Sequence, residues 1–337
     1  MSLKTKLGST AVAAATLCLA AAAQAETFKM QTFLGANAAT TKAFEQMAID
    51  LKAATDGEVD IQVFPAGAVV GPRETMDAIE SGLLDGQYTG PTFFAGKNPA
   101  MAVLGDTLSA YPDTATRDAW FTTGGGLELG RQLYAKHGLH MICQVYWPQE
   151  QIPSTVPIES VADFQGIKIR APGGLPSDLL TRAGASLVNL APGDAINALE
   201  TGVLDASDLA SVGLNVAFGM HNKAKYSILA RHSMPVTEMS VSQDKWDGLS
   251  EDARMKFDSA CNDLSDTLKE TLSQQDAEAI EKAKGELGVT FIEFGKEDAT
   301  LFREMLLEVW ADWSAKGPDA KAIVESHKAY MTSLGIL

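Results

Sequence analysis

Arg170 is the residue whose type and place first suggest chemistry. It closes the alternating run Ile167-Lys-Ile-Arg170, and Ala171-Pro172-Gly173 follows at once. Its guanidinium would therefore emerge where a strand ends and a turn begins, and open α/β folds bind ligands at that carboxyl edge of the sheet. A planar fork of N–H donors matches a carboxylate bidentately, and the pair is stronger in a closed crevice than at the surface. The same position also suits a solvated arginine at a strand end. Phe93, Phe94 and Trp147 would serve as the apolar wall of a crevice, although aromatics near strand ends more often fill a core. Enzyme chemistry finds little footing. His137, His140, His221, His232 and His327 form neither an HExxH pattern nor a zinc spacing, and there is no Gly-x-Ser-x-Gly elbow or Gly-rich phosphate loop. His232 could face a crevice, but a lone histidine is usually structural.

The elements that would position Arg170 come in two similar sets. Ala78-Ile-Glu-Ser-Gly-Leu-Leu-Asp85 and Ala198-Leu-Glu-Thr-Gly-Val-Leu-Asp205 each read as a helix end, a Gly stop and an apolar strand opening on Asp. A joint of this kind found twice points to two lobes of similar build with a ligand between them. Alternating strands at Phe28–Thr32 and Val59–Val63, with Phe44, Met47, Ala48 and Leu51 on one helical face between them, give the βαβ pattern of a mostly parallel sheet. A second series begins with the apolar strand His140–Trp147 and continues through Ile167–Arg170 and Ser186–Leu190. From Glu251 to Lys284 there is no Gly or Pro, and Ser250 stands before it as a cap. A helix of that length, about 50 Å, would span both lobes. The expected fold is a two-lobed α/β protein of the flytrap type, with mostly parallel sheets and a long lobe-spanning helix. Residues 26–148 with about 236–265 would form lobe I, and 149–235 with about 266–337 lobe II, including the spanning and C-terminal helices.

Residues 1–25 read as a signal peptide: Lys4 and Lys6, an apolar run from Ala11 to Ala23, and the small-x-small site Ala23-Gln-Ala25. Export to the periplasm follows. The formal net charge is −16, and removing the two N-terminal lysines makes it −18. Such an acidic surface excludes nucleic acid and anionic membranes as partners. An anionic ligand must be drawn in by a local positive group. Cys143 lies in an apolar strand-like run and Cys261 in the long helix; a disulfide is open to them in an oxidising compartment, and two buried free thiols are favoured.

Phe64-Pro-Ala-Gly-Ala, the helix leading into Gly82-Leu-Leu-Asp85, Phe164-Gln-Gly-Ile-Lys-Ile-Arg-Ala-Pro-Gly173 and Ala198–Asp205 occur in an order that resembles the solute-binding proteins of tripartite ATP-independent periplasmic (TRAP) transporters. The resemblance runs through essentially the whole mature chain. It implies a binding protein that closes on a small organic acid and delivers it to the membrane permease subunits, with the carboxylate-binding arginine at Arg170. Thr89–Pro99 is most similar to the branch that binds 2-oxo and 2-hydroxy acids. No cofactor is required in that branch, but a cation such as Na⁺ or Ca²⁺ can bridge protein and ligand. The resemblance puts Gln149, Asp208 and the Leu209 carbonyl among its ligands, with Met234 where a second glutamate is expected. The loss of that carboxylate makes the set sparse for Ca²⁺. Without a cation, Asp208 would read a hydroxyl or amine of the ligand directly. The apolar face bearing Trp310 and Trp313 is wider than one lobe needs, and the resemblance implies a C-terminal helix that can be exchanged between subunits, so a homodimer is favoured over packing of the face on its own lobe. A binding protein serving a sensor, or a periplasmic enzyme, are the rival readings.

Overall fold

The computed structural model describes residues 26–337 apart from 189 and 191; the expected signal peptide lies outside the described residues. Eleven strands are named here in chain order: β1 (Glu26–Thr32), β2 (Val59–Phe64), β3 (Gly86–Thr89), β4 (Leu139–Val145), β5 (Ile152–Ser154), β6 (Lys168–Arg170), β7 (Ser186–Val188), β8 (Ala206–Ser207), β9 (Tyr226–Leu229), β10 (Thr237–Ser242) and β11 (Thr290–Glu293). They form two sheets, ordered β2-β1-β3-β10-β4 and β11-β9-β5-β8-β6-β7. In the first, β1 lies between β2 and β3 and runs parallel to both, and β10 joins β3 antiparallel. The second repeats the arrangement, with β6 parallel to β7 and β8, and β5 antiparallel to β8. Each parallel trio thus receives one antiparallel strand that arrives directly from the other sheet. The chain crosses between sheets at residues 146–151 and 230–236.

The repeated sequence joint is a repeated structure. The helices Thr75–Glu80 and Ala195–Glu200 end ahead of Gly82 and Gly202, which take φ of 75° and 73°. Glycine reaches that left-handed region without the Cβ clash of other residues. The strands then open one residue after the aspartates rather than on them. Asp85 N donates to Lys29 O at 2.8 Å and its Oδ2 accepts from Lys29 N at 2.9 Å; Asp205 makes the same two bonds to Lys168, at 2.8 and 2.9 Å. Each aspartate therefore locks its strand onto the central strand of its trio.

The long helix runs Glu251–Gly285, about 52 Å at 1.5 Å per residue. Ser250 Oγ accepts from Ala253 N at 3.1 Å, the expected cap. One stripe, Ala253, Phe257, Cys261, Leu264 and Leu268, is buried. The helix touches the first-sheet helix Ala39–Ala54 and β4 at one end, and the second-sheet helix Val212–Ala217 further along. It spans both halves as expected.

Packing of this helix on β4 corrects the cysteine expectation. Cys143 and Cys261 form a disulfide, with Cα atoms 6.1 Å apart. Both residues are buried, as expected of thiols, but the helix stripe and the inner face of β4 bring them face to face.

The two C-terminal helices pack on different halves of the chain. Helix Lys296–Ser314 packs on the second-sheet helix Gly174–Arg182, and Trp313 Nε1 donates to Asp178 Oδ2 at 2.8 Å. The last helix, Pro318–Ser333, returns to the first-lobe helices Ala100–Gly105 and Gly126–Ala135. Its His327 is stacked between Trp120 and Trp310, with ring centroids 3.7 and 5.1 Å away, and its Nδ1 lies 2.8 Å from the Tyr111 hydroxyl. Burial pushes that imidazole down to about 3. Trp310 and Trp313 are buried within the chain, so that part of the apolar face that suggested a homodimer is already covered. Among the described residues no helix is long and apolar enough to cross a membrane.

Candidate functional site

Arg170 is the last residue of β6, and its neighbour β8 ends at Ser207. The two parallel strands are in register, Arg170 opposite Ser207, and Asp208 N donates to Arg170 O at 2.8 Å. Arg170 and Asp208 therefore leave adjacent strands side by side at the carboxyl edge, where an open sheet binds its ligands. The arginine is 6% exposed; Nη1 donates to the Asp208 carbonyl at 2.5 Å and Nε to the Leu190 carbonyl at 3.3 Å. Among the described residues nothing accepts from its Nη2. Burial pushes the guanidinium below its ordinary value, against the pull of the Asp208 and Glu150 charges. A desolvated guanidinium held rigid through Nη1 and Nε keeps Nη2 for a ligand carboxylate.

Behind the arginine lies a buried acid cluster that the sequence disclosed only in part. Asp208 is fully buried; His232 Nε2 donates to its Oδ1 at 2.8 Å, while its Oδ2 makes no hydrogen bond. Glu150, Asp208 and His232 each present a ligating atom within 4.8 Å of the others. Burial raises the Asp208 carboxyl, but the charge and hydrogen bond of His232, with Glu150 and Arg170, outweigh it and hold the group below the usual carboxylate range. Glu150 goes the other way: burial, then the charges of Asp208 and Asp106, push it well above. Asp106 is raised by burial to about 6, although Leu108 N, Ser233 Oγ and Met234 N donate to it at 2.8, 2.7 and 3.0 Å.

The first lobe supplies aromatics. Phe33 meets Tyr88, Phe93 and Trp147 edge-on at 5.6, 6.1 and 5.3 Å, and the Arg73 guanidinium sits 5.3 Å over the Phe93 ring. Phe93 and Trp147 thus share one cluster, whereas Phe94 is buried in the core. Gln149 stands on the crossover beside Glu150 with its Nε2 buried and unbonded. Leu209 packs its side chain against the small apolar cluster of Ala195, Ala198, Leu199, Leu204 and Met220. Met234 is at the other crossover, its N–H on Asp106 and its carbonyl on Thr107. Sequence reasoning missed Glu150, Asp106, Phe33 and Arg73, and it treated His232 as structural.

Residues 30–316 match the model of bacterial extracellular solute-binding protein family 7. The chain belongs to this family. The likeness is specific to the TRAP type: a TRAP periplasmic solute-binding protein from Rhodobacter sphaeroides, solved in an apo open form, is 31% identical over 92% of this chain and 99% of that one, with a TM-score of 0.83. A monocarboxylate 2-oxoacid-binding periplasmic protein from Nostoc is 22% identical over 89% of this chain and 80% of its own length. A TRAP solute-binding protein from Pseudoalteromonas atlantica, with bound sodium and pyruvate, shares the fold at a TM-score of 0.78 with 22% identity, over 93% of this chain and 96% of that one. The family 7 protein described here is thus a TRAP periplasmic solute-binding protein, a transport component.

Proposed function

We propose that this protein works in the periplasm and captures a small monocarboxylate, with 2-oxo and 2-hydroxy acids favoured, between the aromatic cluster of the first lobe and Arg170 of the second. The observation that carries the reading is the burial of Arg170 at the carboxyl end of β6, with Nη1 held on the Asp208 carbonyl, Nε on the Leu190 carbonyl, and Nη2 without an acceptor among the described residues. Phe93, Trp147 and Gln149 line the ligand's other side. We assign residues 26–148 with about 236–265 to one lobe and 149–235 with about 266–337 to the other, and the contacts of the last helix with Ala100–Gly105 and Gly126–Ala135 support moving that helix to the first lobe. Ligand favours closure only through contacts that the open form lacks, and Arg170 supplies them. The family 7 relationship favours delivery to a permease over a sensor role, and the acid is released unchanged. The homodimer expectation is tested by light scattering at micromolar concentration; burial of Trp310 and Trp313 within the chain gives it no support, while Leu301 on the same helix is exposed.

The acid cluster fits a bridging cation better than the sequence implied. Met234 offers no carboxylate, but Glu150 supplies one beside Asp208, and the unbonded Asp208 Oδ2 is a ready ligand. Gln149, Glu150 and Asp208 would hold the ion, with the Leu209 carbonyl as a further oxygen. Oxygen ligands of this kind suit Na⁺ or Ca²⁺. When bound, the ion would offset carboxylate charge of Glu150 and Asp208 that otherwise repels the ligand's own carboxylate.

Thermal-shift screening against 2-oxo, 2-hydroxy, sugar and sulfonic acids tests the reading, since a tight ligand stabilises the fold by mass action. A 2-oxo or 2-hydroxy acid should give the largest shift. A panel in which only the sulfonic or sugar acids stabilise, or in which no acid does, would overturn the proposal. Repeating the best case in chelator-treated, sodium-free buffer should weaken binding, and adding Na⁺ or Ca²⁺ should restore it. Unchanged affinity would remove the cation.

A further inference from the structure

Arg117 is a fully buried arginine outside the ligand site, on the first-lobe helix Thr114–Thr123. Its Nη1 donates to Trp147 O at 2.8 Å and to Pro235 O at 2.7 Å, one carbonyl from each crossover between the sheets. Nε and Nη2 donate to Asp118 Oδ1 at 2.9 and 2.7 Å, and the guanidinium lies 5.6 Å over the Tyr146 ring. The β4–β10 ladder explains why an arginine is needed here. It pairs Val145 with Thr237 and then stops. The same register would oppose Tyr146 to Val236 and then Trp147 to Pro235, but Val236 N bonds Gly105 O instead and proline has no N–H to donate. The Nη1 donors fill the place of the missing ladder bond and tie both chains to the first lobe.

Neighbouring bonds show where each crossover passes from one lobe to the other. On the first-lobe side, Ser233 Oγ and Met234 N bond Asp106, and Val236 N bonds Gly105 O. On the second-lobe side, Gln151 N bonds Ala210 O, and His232 reaches Asp208. Between the first-lobe anchors and strands β5 and β9 lie the short spans 148–151 and 230–232, braced by Glu150 N donating to Ser233 O at 3.3 Å, Ser109 Oγ to Arg231 O at 2.8 Å, and the Arg231 guanidinium to Pro112 O and Glu293 Oε1 at 3.0 and 2.9 Å. Arg231, at φ 58°, holds the strained backbone of the second span. Gln149, Glu150 and His232 sit on those spans, so the pivots also carry part of the candidate site.

We infer that Arg117 is the positioning residue of the hinge: it fixes the first-lobe ends of both strand crossovers, confines their bending during lobe rotation to the two short spans, and so sets ligand affinity without touching the ligand. The inference rests on the two-lobed closing mechanism proposed above. Arg131 provides a matched control, because it also bonds β4 carbonyls, Met141 O and Ile142 O, at 3.0 Å each, but far from the crossovers. Hydrogen–deuterium exchange on the ligand-free full chain should show peptides 146–151 and 230–236 opening at least about tenfold faster in Arg117→Met, with partial recovery in Arg117→Lys, and no such change in Arg131→Met. Pyruvate affinity by calorimetry should fall at least about tenfold in Arg117→Met and stay within about threefold in Arg131→Met. If Arg117→Met does not fold, Arg117→Lys carries both measurements. Crossover exchange like that of the unsubstituted protein, equal opening in Arg131→Met, or unchanged pyruvate affinity would overturn the inference. Failure of the unsubstituted protein to bind pyruvate would count against the ligand class alone, and the exchange experiment would still decide the hinge.

Discussion

His232 Nε2 donates to Asp208 Oδ1 across 2.8 Å, and both side chains are fully buried. The bond joins the end of β8 to the second crossover, so the floor of the site and the hinge are one connected piece. Replacing His232 with Phe would leave Asp208 buried without this partner, and breaking a buried pair from one side costs about 3–5 kcal/mol. Urea unfolding at neutral pH should show a loss of that order. A loss under about 1 kcal/mol would mean that the pair carries little of the structure.

The disulfide makes a second test. Cys143 and Cys261 close a loop with a sequence separation of 118, and constraining a loop of that size in the unfolded chain is worth about 4–5 kcal/mol in the chain-entropy account. The Cys143→Ser, Cys261→Ser double variant should unfold at lower urea concentration by an amount of this order, and added reductant should then no longer affect it. Equal midpoints for the variant and the oxidised protein would refute a stabilising role.

Glu238 sets a pH dependence. It is buried in the first sheet, its Oε1 accepting from Gln87 Nε2 at 2.8 Å, and burial raises its carboxyl to about 8 from an ordinary 4.5, against hydrogen bonds that lower it. Below pH 4.5 both folded and unfolded chains hold the proton and the group imposes no cost. As pH rises from 4.5 to about 8 the unfolded chain ionises while the folded chain resists, so stability falls through that window and then levels off. Asp106, raised to about 6, adds to the slope in its lower part. Glu238→Gln should flatten the fall between about pH 6 and pH 8, read as urea midpoints across that range. A slope unaltered by the substitution would place the pH sensitivity elsewhere.

What the sequence disclosed is what local chemistry controls. The helix–Gly–strand joints at Gly82 and Gly202, the Ser250 cap and the strand-end place of Arg170 depend on neighbours a few residues away, and all were legible. The Cys143–Cys261 bond was not, because it depends on how the long helix is rotated on β4. Glu150 and His232 are 82 positions apart, and only the two crossovers passing side by side bring them together at Asp208. A carboxylate directly after Gln149 was the one available hint. Trp310 and Trp313 suggested a free face because nothing local reveals that the last helix folds back to stack His327 between Trp120 and Trp310.

The central claim is that Arg170 pairs with the ligand carboxylate, and isothermal calorimetry on Arg170→Ala with the most stabilising acid tests it most directly. Leaving the anion unpaired in a desolvated site should cost on the order of 3–5 kcal/mol of binding, with Arg170→Lys recovering only part because a point charge cannot reproduce the fork. Affinity of Arg170→Ala within about threefold of the unsubstituted protein, less than 1 kcal/mol, would contradict the account.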